Sequence, residues 1–256
     1  MADLTTMKIC GAVHSESQVN FLRDNKIGIE VYAPAVNLNS FEEYHKTIAE
    51  YIKGMKDVSM HGTSYDMAYT SNDPLIIEVV KKRFKQSLQA AFFHNINYVI
   101  FHSAYRPFFG IRGSSHEKWY INASIAFWKE FLDNIPVGMT VLLENVEDND
   151  PEVLAKIIDG IGSSQICCCF DAAHAHVYSS VPLDEWVRVL GDRIKLVHLS
   201  DNDGKADLHL PLGDGNLPLL STINNIMKSV DKEMPFVLEC NIPSSLNWLR
   251  SKKVKI

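Results

Sequence analysis

The chain has 256 residues, of which 46% are hydrophobic and 22% charged, and its formal net charge is −6. This balance is typical of a globular protein and gives no support to nonspecific binding of polyanions. Because no run of about 18 apolar residues occurs and MADLTTMK lacks a signal-peptide pattern, we expect a cytoplasmic protein that makes no contact with a membrane.

Short apolar runs alternate with longer segments of helical periodicity along the whole chain. The runs are rich in Val, Ile, Phe or Cys, which is typical of strands buried on both faces. The predicted strands are MKICGAV (7–13), IGIEVYA (27–33), DVSMHG (57–62), NYVIFHS (97–103), MTVLLEN (139–145), QICCCFD (165–171), RIKLVHL (193–199) and PFVLEC (235–240). Helices are predicted over 15–24, 40–53, 74–95, 115–133, 151–159, 182–190, 217–230 and 243–250.

Eight strand-then-helix units in a chain of this length predict an α/β protein with a single (β/α)8 TIM barrel. An open, doubly wound sheet would show the same alternation. Such a sheet usually carries a glycine-rich loop after its first strand, and GAVHSESQ (11–18) is not one. Since no linker, low-complexity segment or further repeat interrupts the pattern, residues 1–256 are expected to form one domain.

The five cysteines fit a reducing compartment. Cys167, Cys168 and Cys169 are consecutive within an apolar run, while Cys10 and Cys240 lie far away in the sequence. No C-x-x-C pair occurs, which argues against a zinc ribbon or a disulfide framework. We therefore expect reduced, buried thiols.

Side chains that can bind metals end six of the eight predicted strands. In a (β/α)8 barrel these ends meet at one mouth, where the active site lies. The residues are His61, His102, Glu144, Asp171 with His174, His198 with Asp207 and His209, and Glu239, and His14 follows the first strand. Closely packed carboxylates repel one another unless cations neutralise them, so the pattern predicts a metal centre. Imidazole and carboxylate ligands suit Zn²⁺, Mn²⁺ or Co²⁺ better than Mg²⁺.

The segment HLSDNDGKADLHLPLGDGN (198–216) concentrates candidate ligands after the seventh strand. An EF-hand is excluded, because alignment on Gly204 places Leu199 and Leu210 where oxygen ligands are required. A solvated polar turn is the alternative to a metal site. In the metal interpretation, the glycines allow the loop to return over the mouth with Asp207 and His209.

An ordered series of motifs resembles the xylose isomerase-like TIM barrels, which include the endonuclease IV enzymes and the sugar phosphate isomerases and epimerases. The motifs are GIEVYAP, SMHGTSY, VIFHS, LLEN, CFDAAHAH, VHLSDNDGKADLHLPLGDGN and VLEC. In endonuclease IV-like members the resemblance implies nine ligands for three zinc ions, at the nine positions given above without His14. In the isomerase and epimerase branch it implies one ion, held by Glu144, Asp171, His198 and Glu239, with the two glutamates acting as acid and base.

Two reactions follow from the resemblance. The first expectation is a Zn- or Mn-dependent isomerase or epimerase that moves a proton next to the carbonyl of a small sugar or sugar phosphate. The alternative is an endonuclease IV-like phosphodiesterase that acts on abasic DNA and holds up to three ions. The nine candidate ligands favour the phosphodiesterase, whereas PAVNLNS (34–40) without Arg or Lys and the acidic VEDND (146–150) argue against nucleic acid. A catalytically idle binding barrel is the third hypothesis, and the sequence carries no signal for an oligomeric state.

The predicted mouth loop HSAYRPFFGIRGSSHEKWY (102–120) supplies candidates for substrate contact. An arginine can clamp a phosphate and an aromatic ring can cover a sugar face. We expect Tyr105, Arg106 and Arg112 to bind substrate together with His14, against the alternative of a packed surface loop.

Overall fold

The computed structural model describes residues 6–33, 41–109, 112–230 and 233–256. Eight parallel strands form a closed barrel in sequence order, and the last strand pairs with the first. The strands are β1 Lys8–Ala12, β2 Gly28–Tyr32, β3 Val58–His61, β4 Tyr98–His102, β5 Thr140–Glu144, β6 Ile166–Asp171, β7 Ile194–Leu199 and β8 Pro235–Leu238. The predicted (β/α)8 barrel is confirmed.

The helices of the described residues surround this barrel. They are α1 Glu16–Asn25, α2 Phe41–Ile52, α3 Pro74–Phe93, α4 Ser115–Phe131, α5 Pro151–Ile161, α6 Ala172–Tyr178, α7 Leu183–Leu190, α8 Leu219–Ser229 and α9 Ile242–Ser251. Several begin where the sequence predicts: Asp73 and Asp150 cap α3 and α5 with their carboxylates, and a proline follows each cap. The short α6 was not predicted, because its seven residues offer less than two turns of periodic pattern.

Two apolar layers hold the barrel. The larger one lies between the strands and the helices, and the smaller one fills the barrel interior. The interior residues are Cys10, Ala12, Ile100, Leu142, Cys169, Leu196 and Val237. All five cysteines are free thiols, of which Cys167 and Cys240 are only half-buried. Within the described ranges, no helix combines the length and the hydropathy that a membrane crossing requires.

Candidate metal centre

Three groups of candidate ligands lie together at the carboxyl ends of the strands. We call them the histidine group, the strand group and the loop group, and within each group one ligand atom per residue lies within 4.8 Å of the others. The histidine group is His61, His102 and Glu144; the strand group is Glu144, Asp171, His198 and Glu239; the loop group is His174, Asp207 and His209. All nine residues singled out from the sequence are therefore brought together.

Glu144 belongs to two of these groups. Its Oε2 lies 3.2 Å from Nε2 of His61 and 3.5 Å from Nε2 of His102. Its Oε1 lies 3.2 Å from Nδ1 of His198 and 3.5 Å from Nδ1 of His174. The side chain is 1% exposed. Each carboxylate oxygen thus faces a different pair of imidazoles.

The charges of the centre are strongly coupled. Burial raises the pKa of Asp171 to about 6, and the negative charge of Glu144 adds to this effect. Burial lowers the pKa of His102 to about 3, which keeps this imidazole in the neutral form that binds metals. Burial also disfavours a charge on Glu144, but the surrounding imidazoles outweigh it and hold the pKa of this carboxyl well below its usual range.

Two buried carboxylate oxygens support the fit to cations. Oδ2 of Asp171 and Oδ1 of Asp207 are buried and accept no hydrogen bond from any described residue. An unsatisfied carboxylate oxygen in the interior is costly, and a divalent cation would remove that cost. The donor set contains imidazole and carboxylate but no thiolate, since Sγ of Cys240 lies 3.0 Å from Oγ of Ser245. These residues fit Zn²⁺, Mn²⁺ or Co²⁺.

Backbone carbonyls orient three of the histidines. One ring nitrogen of each histidine donates its proton to a carbonyl oxygen, so the other nitrogen is directed at its group. The acceptors are the carbonyls of Gly62 for His61 (3.0 Å), Asn145 for His174 (2.9 Å) and Glu239 for His209 (2.9 Å). These contacts fix ring orientation in the manner of metal-binding histidines.

Asp171 joins two groups through the start of α6. Its Oδ1 accepts the backbone N–H of His174 at 2.7 Å, which caps the helix directly at the end of β6. The first turn of α6 then places the His174 ring between the strand group and the loop group, with Nε2 at 3.3 Å from Oδ2 of Asp207. The spacing of three residues between Asp171 and His174 is therefore a consequence of helix capping.

The loop after β7 is organised around Asp201, which is buried. Its two carboxylate oxygens accept four backbone N–H groups, those of Asn202 (2.9 Å), Gly213 (3.0 Å), Gly215 (3.1 Å) and Leu217 (3.0 Å). A Cβ at Gly215 would lie 2.4 Å from Oδ1 of Asp201, so this position requires glycine. The backbones of Asp201 and Leu210 also form an antiparallel bridge. The loop therefore returns over the mouth.

The returning loop carries Asp207 and His209, two of the three members of the loop group. Oδ2 of Asp207 lies 3.1 Å from Nε2 of His209. The hydrogen bond with Asp207 raises the pKa of His209 to about 9, although burial opposes this shift. His209 has a φ of 45°, in the left-handed region that costs free energy for a residue other than glycine. The bridge between Asp201 and Leu210 holds His209 in this conformation.

A cavity of about 790 Å³ opens above the three groups. One wall is a stack of rings, in which Tyr32 lies 4.5 Å from His14 and 5.1 Å from His61 between ring centroids. Residues 62–67 and Val146 form further parts of the lining. No Arg or Lys occurs among the described residues that line the cavity.

Comparison with known families identifies the family of this chain. A family model described as xylose isomerase-like TIM barrel matches residues 19–252. The chain belongs to this family. A curated relative, the uncharacterized protein MJ1311 of Methanocaldococcus jannaschii, is 23% identical over an alignment of 189 residues, and the match covers 66% of this chain. The chain spans about 60% of the length of that relative.

Solved structures of similar fold include both branches of the family. A D-tagatose 3-epimerase-like protein has a TM-score of 0.78 at 19% identity and covers 96% of each chain. The TTHB071 protein of Thermus thermophilus, soaked with ZnCl2, has a TM-score of 0.74 at 22% identity over 96% of this chain and 97% of its own. Endonuclease IV of the same organism has a TM-score of 0.64 at 16% identity over 96% and 97%. At these identities the likeness concerns the fold.

The side chains of the mouth loop that were predicted to contact substrate have partners within the described part of the protein. The Tyr105 hydroxyl is part-buried and donates to Oδ1 of Asn149 at 2.8 Å. The two arginines face the acidic loop after β5: a guanidinium nitrogen of Arg106 lies 3.5 Å from Glu147, and one of Arg112 lies 3.4 Å from Asp150. Among the described residues, the lining of the cavity includes His14 but none of these three. The predicted loop 34–40 lies outside the described residues.

The sequence analysis did not identify two residues of β2 that contact the candidate ligands. The Tyr32 hydroxyl donates to Oε1 of Glu239 at 3.0 Å, and burial raises its pKa well above the usual value, so it remains a donor. Glu30 is fully buried, and its Oε1 lies 3.2 Å from Nε2 of His198. The only signal in the sequence was an acidic residue within a strand predicted to be buried on both faces.

Proposed function

We propose that the chain is a divalent-metal-dependent phosphodiesterase with up to three ions, the alternative reaction of the sequence analysis. The observation that carries this proposal is the position of Glu144, whose two oxygens face different groups. A carboxylate that moves a proton at a substrate carbon needs one oxygen directed at the substrate. Because both oxygens of Glu144 are engaged among candidate ligands, its geometry favours bridging over acid–base chemistry.

In this proposal each of the three groups of candidate ligands would hold one ion. Glu144 would be shared between an ion of the histidine group and an ion of the strand group, while Asp207, His209 and His174 would hold the third. Such ions supply Lewis acidity toward a phosphoryl group and a nucleophile at neutral pH. Tyr32 holds Oε1 of Glu239, which leaves Oε2 at 3.3 Å from Nδ1 of His198.

The charges around the mouth limit the substrate. The cavity presents imidazoles and carboxylates, and the arginines of the mouth loop pair with Glu147 and Asp150. The negative charge of a phosphate would therefore be met by the ions, with little grip on a long polyanion in the described part of the mouth. A small substrate that presents one phosphodiester to the cavity therefore fits best, and abasic DNA is assayed beside it because the family resemblance implies that substrate.

An isomerase or epimerase of a small sugar is the second candidate, because Glu239, its predicted acid or base, lines the cavity. The cavity suits a molecule of this size, and its ring wall of His14, Tyr32 and His61 can cover a sugar face. Glu239 lies at the edge of that wall through its bond with Tyr32. In this case the strand group alone would hold one Zn²⁺ or Mn²⁺.

The number of ions per chain distinguishes the two candidate functions, and substrate assays then test which reaction the protein catalyses. Protein purified without added metal is analysed for ions per chain and assayed on bis(p-nitrophenyl) phosphate, on duplex DNA with one abasic site and on a panel of ketoses and their phosphates. The phosphodiesterase requires about three ions and hydrolysis that stops with a chelator. One ion together with epimerisation would replace it with the second candidate. His116→Asn, at an exposed position outside the three groups, is the control and should keep all ions.

A further inference from the structure

Glu30 is a carboxylate inside the barrel, below the metal centre. It lies near the middle of β2, its side chain is fully buried, and its register partner on β1, Ala12, belongs to the apolar layer of the barrel interior. A carboxylate in such surroundings is costly unless specific partners compensate it. Its presence in the interior therefore requires a structural or functional reason.

Both oxygens of Glu30 face polar partners. Oε2 accepts a hydrogen bond from the hydroxyl of Ser59 at 2.8 Å, and Ser59 is its register partner on β3. Oε1 lies 3.2 Å from Nε2 of His198, which comes from β7. Apart from this ion pair, no hydrogen bond within the described residues satisfies Oε1 of Glu30 or Nε2 of His198. Each of these two buried atoms therefore has the other as its polar partner.

The opposite nitrogen of His198 faces the strand group. Nδ1 lies 3.2 Å from Oε1 of Glu144 and 3.3 Å from Oε2 of Glu239. An imidazole that binds a metal through one nitrogen carries its proton on the other, and a carboxylate acceptor for that proton fixes the ring and strengthens the ligand. The geometry of Glu30, His198 and the strand group matches this arrangement.

We propose that Glu30 is a positioning residue for the strand group. It accepts the Nε2–H of His198, directs the Nδ1 lone pair at the strand group, and is itself held by Ser59. Glu30 thereby sets the affinity of this group for its ion and leaves the loop group unaffected. The inference rests on the metal centre of the proposed function, but it holds for either reaction.

The test uses the full chain and measures zinc affinity by competition with a chromophoric chelator. Glu30→Leu removes the acceptor but keeps an apolar side chain of similar volume, and it should weaken one ion by roughly 10- to 100-fold with the others unchanged. Glu30→Gln keeps a neutral acceptor and should restore part of that loss. Ser59→Ala should have a smaller effect. Glu117→Gln, at a buried glutamate outside the three groups, is the matched control.

A second readout follows the proton itself. In zinc-loaded protein, ¹⁵N NMR should find a ring N–H of His198 that is protected from exchange, and Glu30→Leu should abolish that protection. Wild-type zinc affinity in both Glu30 variants would overturn the inference, as would a lower melting temperature without any loss of affinity. If the wild-type chain itself binds no ion, the metal centre of the proposed function fails, which is a different result from normal wild-type binding with unaffected variants.

Discussion

The strand group and the loop group are built in different ways. Asp171 and His198 lie on β6 and β7 and are fully buried, and Glu239 directly follows β8 with a side chain 6% exposed. In the loop group, the side chains of Asp207 and His209 are 25% and 42% exposed. The strand group is positioned by the hydrogen-bonded barrel itself. Asp207 and His209 lie on a loop that depends on one carboxylate, that of Asp201, which accepts four backbone N–H groups.

This difference implies unequal local stability. A ligand on a barrel strand moves only if the barrel opens, whereas the loop after β7 can open on its own. We therefore expect the loop group to release its ion before the strand group as a chelator is added. A change at a residue shared between groups should remove more than one ion, whereas a change within one group should leave the ions of the others in place.

Glu144→Gln should have the largest effect, because Glu144 serves both the histidine group and the strand group. We expect loss of up to two ions per chain and a decrease in turnover of roughly 10³-fold, about 4 kcal/mol in the barrier. Elemental analysis and the phosphodiesterase assay measure these losses. Glu78→Gln, on the exposed face of α3, is the control and should change neither. Full ion content in Glu144→Gln would remove the bridging role.

The double change Asp207→Asn with His209→Asn affects the loop group alone. One ion per chain should be lost while the strand group keeps its own. A three-ion phosphodiesterase should lose roughly 100-fold in turnover, about 3 kcal/mol. A one-ion epimerase should keep most of its activity, because the four ligands of the strand group are intact. Ion content and turnover measured on the same preparations therefore separate the two candidate reactions.

The strand ends were predictable from the sequence, because a parallel barrel brings every carboxyl end to one mouth. His61, His102 and Glu144 are examples: each is the last residue of its strand, and the alternation of elements was enough to bring them together. Asp207 and His209 lie outside any strand, so the residue pattern left a solvated turn as the alternative, and the family resemblance added that both positions match ligands. The organising role of Asp201 had no signal beyond the glycines with which it interacts.

Contacts across the barrel were not predictable. Glu30 and His198 are far apart in sequence and meet because β2 and β7 face the same interior, which depends on strand tilt and side-chain direction. The pairing of Arg106 with Glu147 is a contact between two loops, whose path no residue pattern determines. The predicted roles of Tyr105, Arg106 and Arg112 in substrate binding stay predictions.

Asp201→Asn should separate the loop group from the barrel without altering a ligand. An amide has one acceptor oxygen, and its NH₂ would face backbone N–H groups, so at least two of the four donors would lose their partner. At 1–3 kcal/mol for each buried donor, the loop should be destabilised by roughly 2–6 kcal/mol. Hydrogen exchange of residues 201–217 should become faster, and one ion should be lost. Asp203→Asn, an exposed position in the same loop, is the matched control; equal exchange in both variants would contradict the role of Asp201.

Asp148 gives the smallest effect, on stability alone, because it is a buried carboxylate outside all three groups. Burial raises its pKa from 3.8 to about 6, even though the Ser103 hydroxyl donates to it at 2.5 Å. Between these two values the folded chain binds more protons than the unfolded chain, so the free energy of unfolding should fall as pH rises from about 4 to 6, by at most about 3 kcal/mol. The side chain of Asp148→Asn is neutral throughout, so this variant should lack this part of the dependence of unfolding free energy on pH.

Denaturant unfolding of metal-free protein at pH 4.5 and 7.5 measures the difference. An equal dependence on pH in the two proteins would mean that Asp148 is ionised at both pH values. Because Asp148 contacts none of the nine candidate ligands through a hydrogen bond, ion content should not change, which distinguishes the cost of a buried carboxylate from that of one that holds a metal.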